Sequence, residues 1–359
     1  MRRLHLRDFR NYAELELEFS EHSNFFAGKN AQGKSNLLEA IHTLAMTRSF
    51  RSSNERDLMR LGGERYEITG EFIDKLGVRH YATVCNDAHA GKQSSIDRKR
   101  LTSRQWVGAF PVVLFSPESH KITSGPPAER RRFVDMLLCQ SSPAYLADLI
   151  EYNRVLRQRN TLLAVSATAS KDFTVWSQAL AAYGCRVVAA RFQLIDEYAQ
   201  TLHQAYAKIA GSPSPFRVFY RTRFEPTQTT PEVFLQRLQD ARQYEERRRR
   251  TLIGPHVDDF EFAIGGKELR QFGSRGEQKT ALMALKWAEA EYLKTKTGIA
   301  PMILIDDLPS ELDTDRLQHA IDRFTGNGQL FITSILPLHP RMKLGYHFEV
   351  AEGEVRRVN

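Results

Sequence analysis

Residues 28–35 have the residue types and spacing of a loop that holds phosphate groups. They read Gly-Lys-Asn-Ala-Gln-Gly-Lys-Ser and fit the pattern G-x-x-x-x-G-K-[ST]. In such a loop, glycines allow successive backbone N–H groups to point at a β-phosphate, with the positive end of a helix behind them. Lys34 would then reach the β- and γ-phosphate oxygens, and the Ser35 hydroxyl would suit Mg²⁺. We therefore predict nucleoside triphosphate contacts from Gly28, Lys29, Asn30, Ala31, Gln32, Gly33, Lys34 and Ser35.

The flanks of this loop are the elements that its chemistry needs. Before it, residues 14–19 alternate between glutamate and apolar side chains, as in a half-buried strand, and residues 25–27 indicate a second, buried strand. After it, the apolar residues of 37–44 recur at spacings of three and four, which indicates an amphipathic helix. A strand, a glycine-rich loop and a helix in this order are typical of a phosphate-binding loop.

A second group of candidate residues follows two apolar runs near the end of the chain. Asp306 and Asp307 come after the run 302–305, and we expect Asp306 to serve with Ser35 as a Mg²⁺ ligand. Asp307 would stand where a general base could polarise an attacking water. Thr333 follows the run 330–332, and its hydroxyl could bond to a γ-phosphate but cannot titrate near neutral pH. Alone, an apolar run ending in two acids could equally be a core strand that meets a polar loop.

The long stretch between Lys34 and Asp306 indicates that the nucleotide fold is split by an insertion. Within this stretch, Ser274 is placed as a helix cap, and Gly276 leaves the first N–H groups of that helix open. We interpret this helix start as a second anion site, offered to a nucleotide bound by another subunit. The alternative is an ordinary helix cap.

The inserted residues have helical periodicity. One helix is predicted around residues 145–163 and a longer one from about Asp172 to Ile209, about 57 Å at 1.5 Å per residue. The longer helix has a predicted heptad seam of Phe173, Trp176, Leu180, Tyr183, Val187, Ala190 and Leu194. Elsewhere, residues 72–84 indicate a β-hairpin, residues 106–115 an apolar strand and residues 216–220 another strand. We expect the first half of a split domain over 1–118, a helical arm over 119–212, and the second half over 213–359.

These motifs follow in the order found in the ABC-type ATPase heads that SMC and RecF proteins share. Residues 274–278 (Ser-Arg-Gly-Glu-Gln) are similar to the signature segment of those heads, and 310–313 (Ser-Glu-Leu-Asp) to the segment after their aspartates. Further segments, at 4–12, 48–51, 115–118, 129–135, 157–160 and 251–259, resemble the RecF family in particular. The resemblance extends from end to end of the chain.

The resemblance implies an α/β fold: an ABC-type P-loop ATPase head, split by an inserted α-helical arm. It implies ATP and Mg²⁺ as cofactors and an ATP-dependent homodimer, in which Lys34 of one chain and the Ser274 region of the other hold each γ-phosphate. It further implies a clamp on gapped DNA that acts with RecR and RecO to load RecA in recombinational repair, and that supports the SOS response. We expect weak DNA-dependent ATP hydrolysis.

Two departures from the family pattern bear on these expectations. Glu277 stands where glutamine is more frequent, and Pro309 precedes Ser310 where a small or aliphatic residue is usual. A carboxylate at a helix N-terminus suits the helix dipole, but it could repel an incoming γ-phosphate. Activation of one subunit by the other could therefore be weaker in this chain.

The charge of the chain favours polyanionic partners. The formal net charge is +8 at pH 7. The candidate DNA contacts are the run Arg247, Arg248, Arg249 and Arg250 and the cluster Arg98, Lys99 and Arg100; a further basic cluster covers 130–132. Arginines at a helix end have an ordinary alternative role, because they complement the helix dipole and remain solvated.

Other features concern the cell compartment and the class of protein. No apolar run approaches the length of a membrane span or a signal peptide, and the three widely spaced cysteines indicate reduced, packed thiols. We expect a cytoplasmic protein without a membrane partner. Two other classes stay open: a nucleotide kinase with a small acceptor, for which the Ser274 helix would be merely structural, and a transporter-type ATPase subunit, against which the long insertion argues.

Overall fold

A computed structural model of the chain describes residues 1–74, 76–166, 168–211, 214–307, 324, 326–335 and 345–358. Its strands are β1 (Arg3–Phe9), β2 (Tyr12–Glu18), β3 (Ser23–Ala27), β4 (Arg65–Ile73), β5 (Arg79–Asp87), β6 (Gly91–Ile96), β7 (Lys99–Arg100), β8 (Val112–Phe115), β9 (Phe216–Arg221), β10 (Asp259–Ile264), β11 (Lys267–Glu268), β12 (Met302–Ile305), β13 (Gln329–Ser334), β14 (Tyr346–Ala351) and β15 (Glu354–Arg357). Its α-helices are α1 (Lys34–Met46), α2 (Ser103–Trp106), α3 (Lys121–Ser124), α4 (Pro127–Ser141), α5 (Pro143–Ala164), α6 (Lys171–Ala210), α7 (Pro231–Arg248), α8 (Leu269–Phe272) and α9 (Arg275–Thr297).

The chain forms two compact units. The first contains Met1–Ser119 and the described residues from Glu289 onward, and the second contains His120–Ala288. The predicted first boundary, between 118 and 119, differs from the observed one by a single residue. The predicted second boundary, at 212, differs much more, because β9 and α7 pack against α6 and keep residues 214–288 in the second unit.

Two sheets enclose one helix in the first unit. The antiparallel sheet has the strand order β2-β1-β4-β5-β6-β7, and the other sheet has the order β15-β14-β3-β13-β12-β8. In the second sheet all neighbours are parallel except β15, which runs antiparallel to β14. Helix α1 contacts strands of both sheets, so residues 37–46 are buried on every side rather than on one face. The helix that the sequence predicted to be amphipathic is therefore a buried helix between the two sheets.

The predicted hairpin at residues 72–84 is confirmed, because β4 and β5 pair antiparallel there. The predicted strand over 106–115 is wrong in its first half. Trp106 ends the short helix α2, where its indole Nε1 donates to the carbonyl oxygen of Leu44 (2.8 Å), and only Val112–Phe115 form a strand. Gly108 at φ 94° and Pro111, which has no N–H to donate to a sheet, separate the two.

In the second unit, α6 is a continuous helix of 40 residues, about 60 Å long. Helices α5 and α7 and strand β9 pack against it, and β9, β10 and β11 form a three-stranded antiparallel sheet. The predicted helix from 172 to 209 is thus confirmed in its bounds.

Three of the seven predicted seam positions of α6 are wrong by one residue. Ser177, Gly184 and Arg191 are buried, while their predicted neighbours Trp176, Tyr183 and Ala190 are only half-buried. The inward-facing positions hold small or polar residues because each of them meets a specific partner. The Ser177 hydroxyl accepts from Arg159 Nε (3.0 Å), a Cβ at Gly184 would lie 2.6 Å from the Phe234 ring, and Arg191 Nη2 donates to Asp135 Oδ1 (2.8 Å).

A buried ion pair connects α5 with α7. Arg159 Nη2 lies 2.6 Å from Glu245 Oε2, and the two side chains are 1% and 0% exposed. Arg159 Nη1 also donates to the Thr251 hydroxyl (2.7 Å), and Glu245 Oε1 accepts from the Leu252 N–H (2.8 Å). These contacts fix the turn that follows α7.

We expect acid to destabilise the second unit through His256. Burial lowers the pKa of His256 to about 4; its Nε2 donates to the Thr251 carbonyl oxygen (3.1 Å), and its Nδ1 accepts from the Tyr152 hydroxyl (2.5 Å). In the unfolded chain this histidine takes up a proton near pH 6.5. Its contribution to the free energy of unfolding is therefore fully present above that pH and decreases by about 1.4 kcal/mol per pH unit toward pH 4. Between pH 7 and 4.5, the melting temperature should fall less for His256→Gln than for the native chain. The exposed His89, changed to Gln, is the control, and equal pH slopes for His256→Gln and the native chain would contradict the assignment.

Candidate nucleotide-binding site

The phosphate-binding loop connects β3 to α1 at the carboxyl end of the parallel sheet. Gly28 is needed for close packing, because a Cβ there would lie 2.2 Å from the carbonyl oxygen of Val350 on β14. Gly33 is needed for its backbone, which has φ 114° and serves as the N-cap of α1. A Cβ would be crowded at both positions, and Gly33 is required for its backbone conformation as well.

The ammonium group of Lys34 is turned into the loop. Its Nζ donates to the carbonyl oxygens of Gly28 and Lys29, at 2.7 Å each, and the residue is 7% exposed. Burial lowers the pKa of Lys34 below its usual value, while Asp307 and Asp306 act in the opposite direction. A phosphate entering the loop would take over this ammonium group from the two carbonyl oxygens.

Three side chains meet at the end of strand β12. Asp306 Oδ1 accepts from the Ser35 hydroxyl (2.8 Å) and from the Thr333 hydroxyl (2.8 Å). The Asp307 N–H donates to Thr333 Oγ1 (3.0 Å), and Asp307 has φ 55°. β12 and β13 are parallel neighbours, so their carboxyl ends place Asp306, Asp307 and Thr333 at one edge of the sheet. The structure thus brings five sequence-predicted site residues, including Lys34 and Ser35, into one cluster.

This cluster has the oxygen donors that Mg²⁺ requires. The Asp306 carboxylate and the Ser35 hydroxyl already share a hydrogen bond, and both groups are hard oxygen ligands of the kind that Mg²⁺ prefers. The residues present therefore fit the predicted ion.

Two residues that the sequence analysis did not assign to the site hold the loop from the β1–β2 turn. The Tyr12 hydroxyl donates to the Gly33 carbonyl oxygen (3.0 Å), and Asn11 Nδ2 donates to the Gln32 carbonyl oxygen (3.3 Å). On the other side, Gln32 Oε1 accepts from the Glu352 N–H (2.6 Å). A short polar turn carries no local pattern for these contacts, and they could not have been found without the fold.

The second predicted anion site forms a capping box at the start of α9. The Glu277 carboxylate accepts from the Ser274 N–H and from its hydroxyl, at 2.8 Å each, and the Glu277 N–H donates to Ser274 Oγ (3.2 Å). The Ser274 N–H holds the pKa of Glu277 below its usual value. Gly276 is exposed, and a Cβ there would lie 4.0 Å from the Ser274 hydroxyl oxygen, without a clash. Ser274 and Gly276 belong to the second compact unit, whereas the phosphate-binding loop belongs to the first.

The candidate DNA contacts have different surroundings. Arg247, Arg248, Arg249 and Arg250 are exposed at the end of α7, and Arg249 has φ 54° as the C-cap. Arg98, Lys99 and Arg100 are exposed around the β6–β7 turn of the first unit.

The basic cluster at residues 130–132 differs from the prediction. Arg130 is 3% exposed and makes a bidentate pair with Asp259 (2.8 and 2.9 Å), and Arg131 Nη1 donates to the Asp258 carbonyl oxygen (2.6 Å). These two arginines join α4 to β10 rather than face solvent.

Comparison with known proteins gives the family. Residues 1–340 match the family described as RecF/RecN/SMC N terminal domain. The chain is 35% identical to the DNA replication and repair protein RecF of Enterococcus faecalis, over 99% of this chain and 98% of that protein. The chain belongs to the RecF family. It is also similar to a solved structure of the recombination mediator protein RecF-ATP in the RecFOR pathway, with 28% identity, a TM-score of 0.90, and coverage of 100% of this chain and 97% of that one.

A more distant structure supports the fold alone. The Smc head bound to the C-winged helix domain of ScpA has 15% identity and a TM-score of 0.57, covering 99% of this chain and 96% of that one. The predicted α/β ABC-type head is confirmed by this likeness and by the RecF family match. Among the described helices, none has the length and apolar character that a membrane span requires. The predicted segment 310–313 and Pro309 lie outside the described residues.

Proposed function

We propose that this chain is an ATP-dependent DNA-binding protein of recombinational repair. The hydrogen-bonded cluster of Ser35, Asp306 and Thr333 beside the buried Lys34 carries the proposal, because these groups suit a magnesium-bound triphosphate. The family supports the choice of ATP and of DNA repair, since one relative is named RecF-ATP and another a DNA replication and repair protein.

Each residue of the cluster has a separate task in the proposal. Lys34 binds the β- and γ-phosphate oxygens, and Ser35 and Asp306 hold Mg²⁺. When bound, Mg²⁺ neutralises charge on the phosphate oxygens. Thr333 positions Asp306 and the backbone of Asp307 through its hydroxyl. Asp307 accepts the proton of the attacking water as a general base.

The proposal includes an ATP-dependent homodimer. Ser274 and Gly276 of one subunit would bind the γ-phosphate held by Lys34 of the other, with N–H groups of a helix start as donors. The Ser274 N–H and hydroxyl both donate to Glu277, so phosphate would compete with this carboxylate. Weak hydrolysis would open the dimer rather than perform mechanical work.

The dimer would clamp gapped DNA through phosphate contacts from its exposed basic residues. RecR and RecO are the proposed partners, because a relative is described as a mediator in the RecFOR pathway. We extend the proposal to RecA loading and to the SOS response on the basis of family membership.

The role of Asp307 is tested by Asp307→Asn. Asparagine tolerates φ 55° and keeps the size of the side chain but cannot take a proton, so kcat should fall by about 100-fold or more while ATP binding persists. The measurement is single-turnover hydrolysis beside an ATP titration. Unchanged turnover would remove Asp307 from the role of base.

The proposed function as a whole is tested by sedimentation with a labelled gapped duplex, in ADP or in a non-hydrolysable ATP analogue. We expect dimerisation and DNA co-sedimentation with the analogue only. A monomer that ignores DNA in both nucleotides, even after RecR is added, would contradict the proposal.

A further inference from the structure

One face of α7 forms a basic pocket in the second unit. Arg237, Ala241, Tyr244 and Arg248 recur at spacings of four, three and four, which places them on one side of the helix. Together with Arg223, Leu252 and Ile253 they line a cavity of about 450 Å³, which Asp240 also borders. The lining therefore carries three positive charges and one negative charge.

The three arginines of this pocket form no ion pair with a carboxylate of the described residues. Within the described part of the chain, no carboxylate pairs with Arg223, Arg237 or Arg248, and Asp240 accepts instead from Gln236 Nε2 (2.8 Å). The Nε atom of Arg237 is buried and has no hydrogen-bond acceptor among the described residues. An anion in the pocket would give these guanidinium groups the charge partner that the described residues do not provide.

Stacked aromatic rings hold Arg237 in place. Its guanidinium carbon lies 5.4 Å from the centre of the Phe224 ring, and that ring stacks on Phe234 at 4.5 Å. Phe224 and Phe234 are buried, so the guanidinium group has a fixed platform. A donor that is positioned before binding loses less conformational entropy when its acceptor arrives.

Tyr244 gives the pocket a flat, accessible ring beside these cations. Tyr244 is 65% exposed, so a ligand can reach its ring. An aromatic ring next to guanidinium groups is the combination that binds single-stranded nucleic acid, in which bases stack on rings and phosphates pair with arginines. An acidic peptide would use the arginines but would leave the ring without a function.

We propose that the pocket formed by Arg223, Arg237, Tyr244 and Arg248 binds one nucleotide of single-stranded DNA, with its phosphate on the arginines and its base on Tyr244. A base within a duplex is already stacked and cannot reach the ring, so the pocket would select the unpaired part of a gapped substrate. The inference rests on the proposed function, because it requires a chain that binds DNA. It adds a contact to single strands that phosphate binding alone does not give.

The test uses fluorescence anisotropy with two probes, a short labelled oligo(dT) and a blunt duplex of the same length, in the presence of a non-hydrolysable ATP analogue. We expect Tyr244→Leu to weaken oligo(dT) binding about tenfold and to leave duplex binding within about twofold. Arg237→Gln should weaken oligo(dT) binding and reduce the salt slope by about 0.7, the value for one phosphate contact on a single strand. Tyr81→Leu, at a tyrosine of β5 that is 48% exposed, is the matched control and should bind both probes as the native chain does.

Misfolding of the variants is not expected to account for these changes in binding. Tyr244 is exposed, and Arg223→Gln, also at an exposed position, serves as a second arginine variant in case Arg237→Gln disturbs the packing on Phe224. Three results would overturn the inference: Tyr244→Leu with unchanged oligo(dT) binding, equal losses on both probes, or a loss from the arginine variants alone with polyglutamate displacing oligo(dT). In those cases the native chain still binds DNA and the proposed function stands. Binding of neither probe by the native chain would overturn both.

Discussion

Lys34→Met is expected to weaken ATP binding by about 100-fold or more. The ammonium group would make charged hydrogen bonds to two phosphates, each contributing about 1.5–3 kcal/mol, and methionine can make none. The variant should not lose thermal stability, because burial already disfavours the charge of Lys34 in the free chain. Calorimetric titration with ATP and thermal melting of the same samples would separate loss of binding from loss of folding.

The matched control is Lys267→Met, which removes one charge from an exposed position on β11. It should bind ATP with native affinity. If Lys34→Met binds ATP within about threefold of the native chain, the phosphate-binding role of Lys34 is wrong. If that variant loses ATP but still retains DNA in the sedimentation experiment, the proposed coupling of ATP to DNA binding is wrong instead.

The second large effect concerns stability. Arg159→Met leaves the Glu245 carboxylate, 0% exposed, without its cation, and breaking a buried pair in this way costs about 3–5 kcal/mol. Chemical denaturation, followed through the unfolding transition of the second unit, should show this loss of unfolding free energy. The double variant Arg159→Met/Glu245→Gln should recover more than half of it, because glutamine removes the charge and can still accept from the Leu252 N–H.

Arg154→Met is the control on the same helix. Arg154 pairs with Glu151 at 2.8 Å, but the arginine side chain is 49% exposed, so its removal should cost less than about 1 kcal/mol. Equal costs for the two single variants would contradict the view that burial determines the effect.

The sequence predicted those parts of the candidate site that depend on local pattern. The loop at 28–35 has its own signature, and apolar runs that end in Asp306 and Thr333 place these residues at the carboxyl ends of strands. Parallel pairing then brings both ends together. Contacts between distant segments were not predictable: Tyr12 reaches the loop only because the β1–β2 turn lies beside it.

Burial of polar residues caused the main errors. Periodicity assigns apolar residues to the core, so it chose Trp176 and Ala190 over Ser177 and Arg191 on α6. The pattern of charge placed Arg130 and Arg131 in a basic cluster considered for DNA contact, although Asp259 and the Asp258 carbonyl oxygen bind them. A buried charge becomes recognisable only when its partner is known, and these partners lie far along the chain, 56 residues away for Arg191 and 129 for Arg130.

The polar residues in the seam of α6 give this helix a single register. If α6 slid along its neighbours by one heptad, Arg191 would arrive where Gly184 now lies against Phe234 and Tyr152, and Asp135 would lose its guanidinium partner. An apolar seam would permit such a slip at little cost, whereas one polar residue at a seam position is enough to fix the alignment of packed helices. The long helix is therefore held in one alignment along the elements that it contacts.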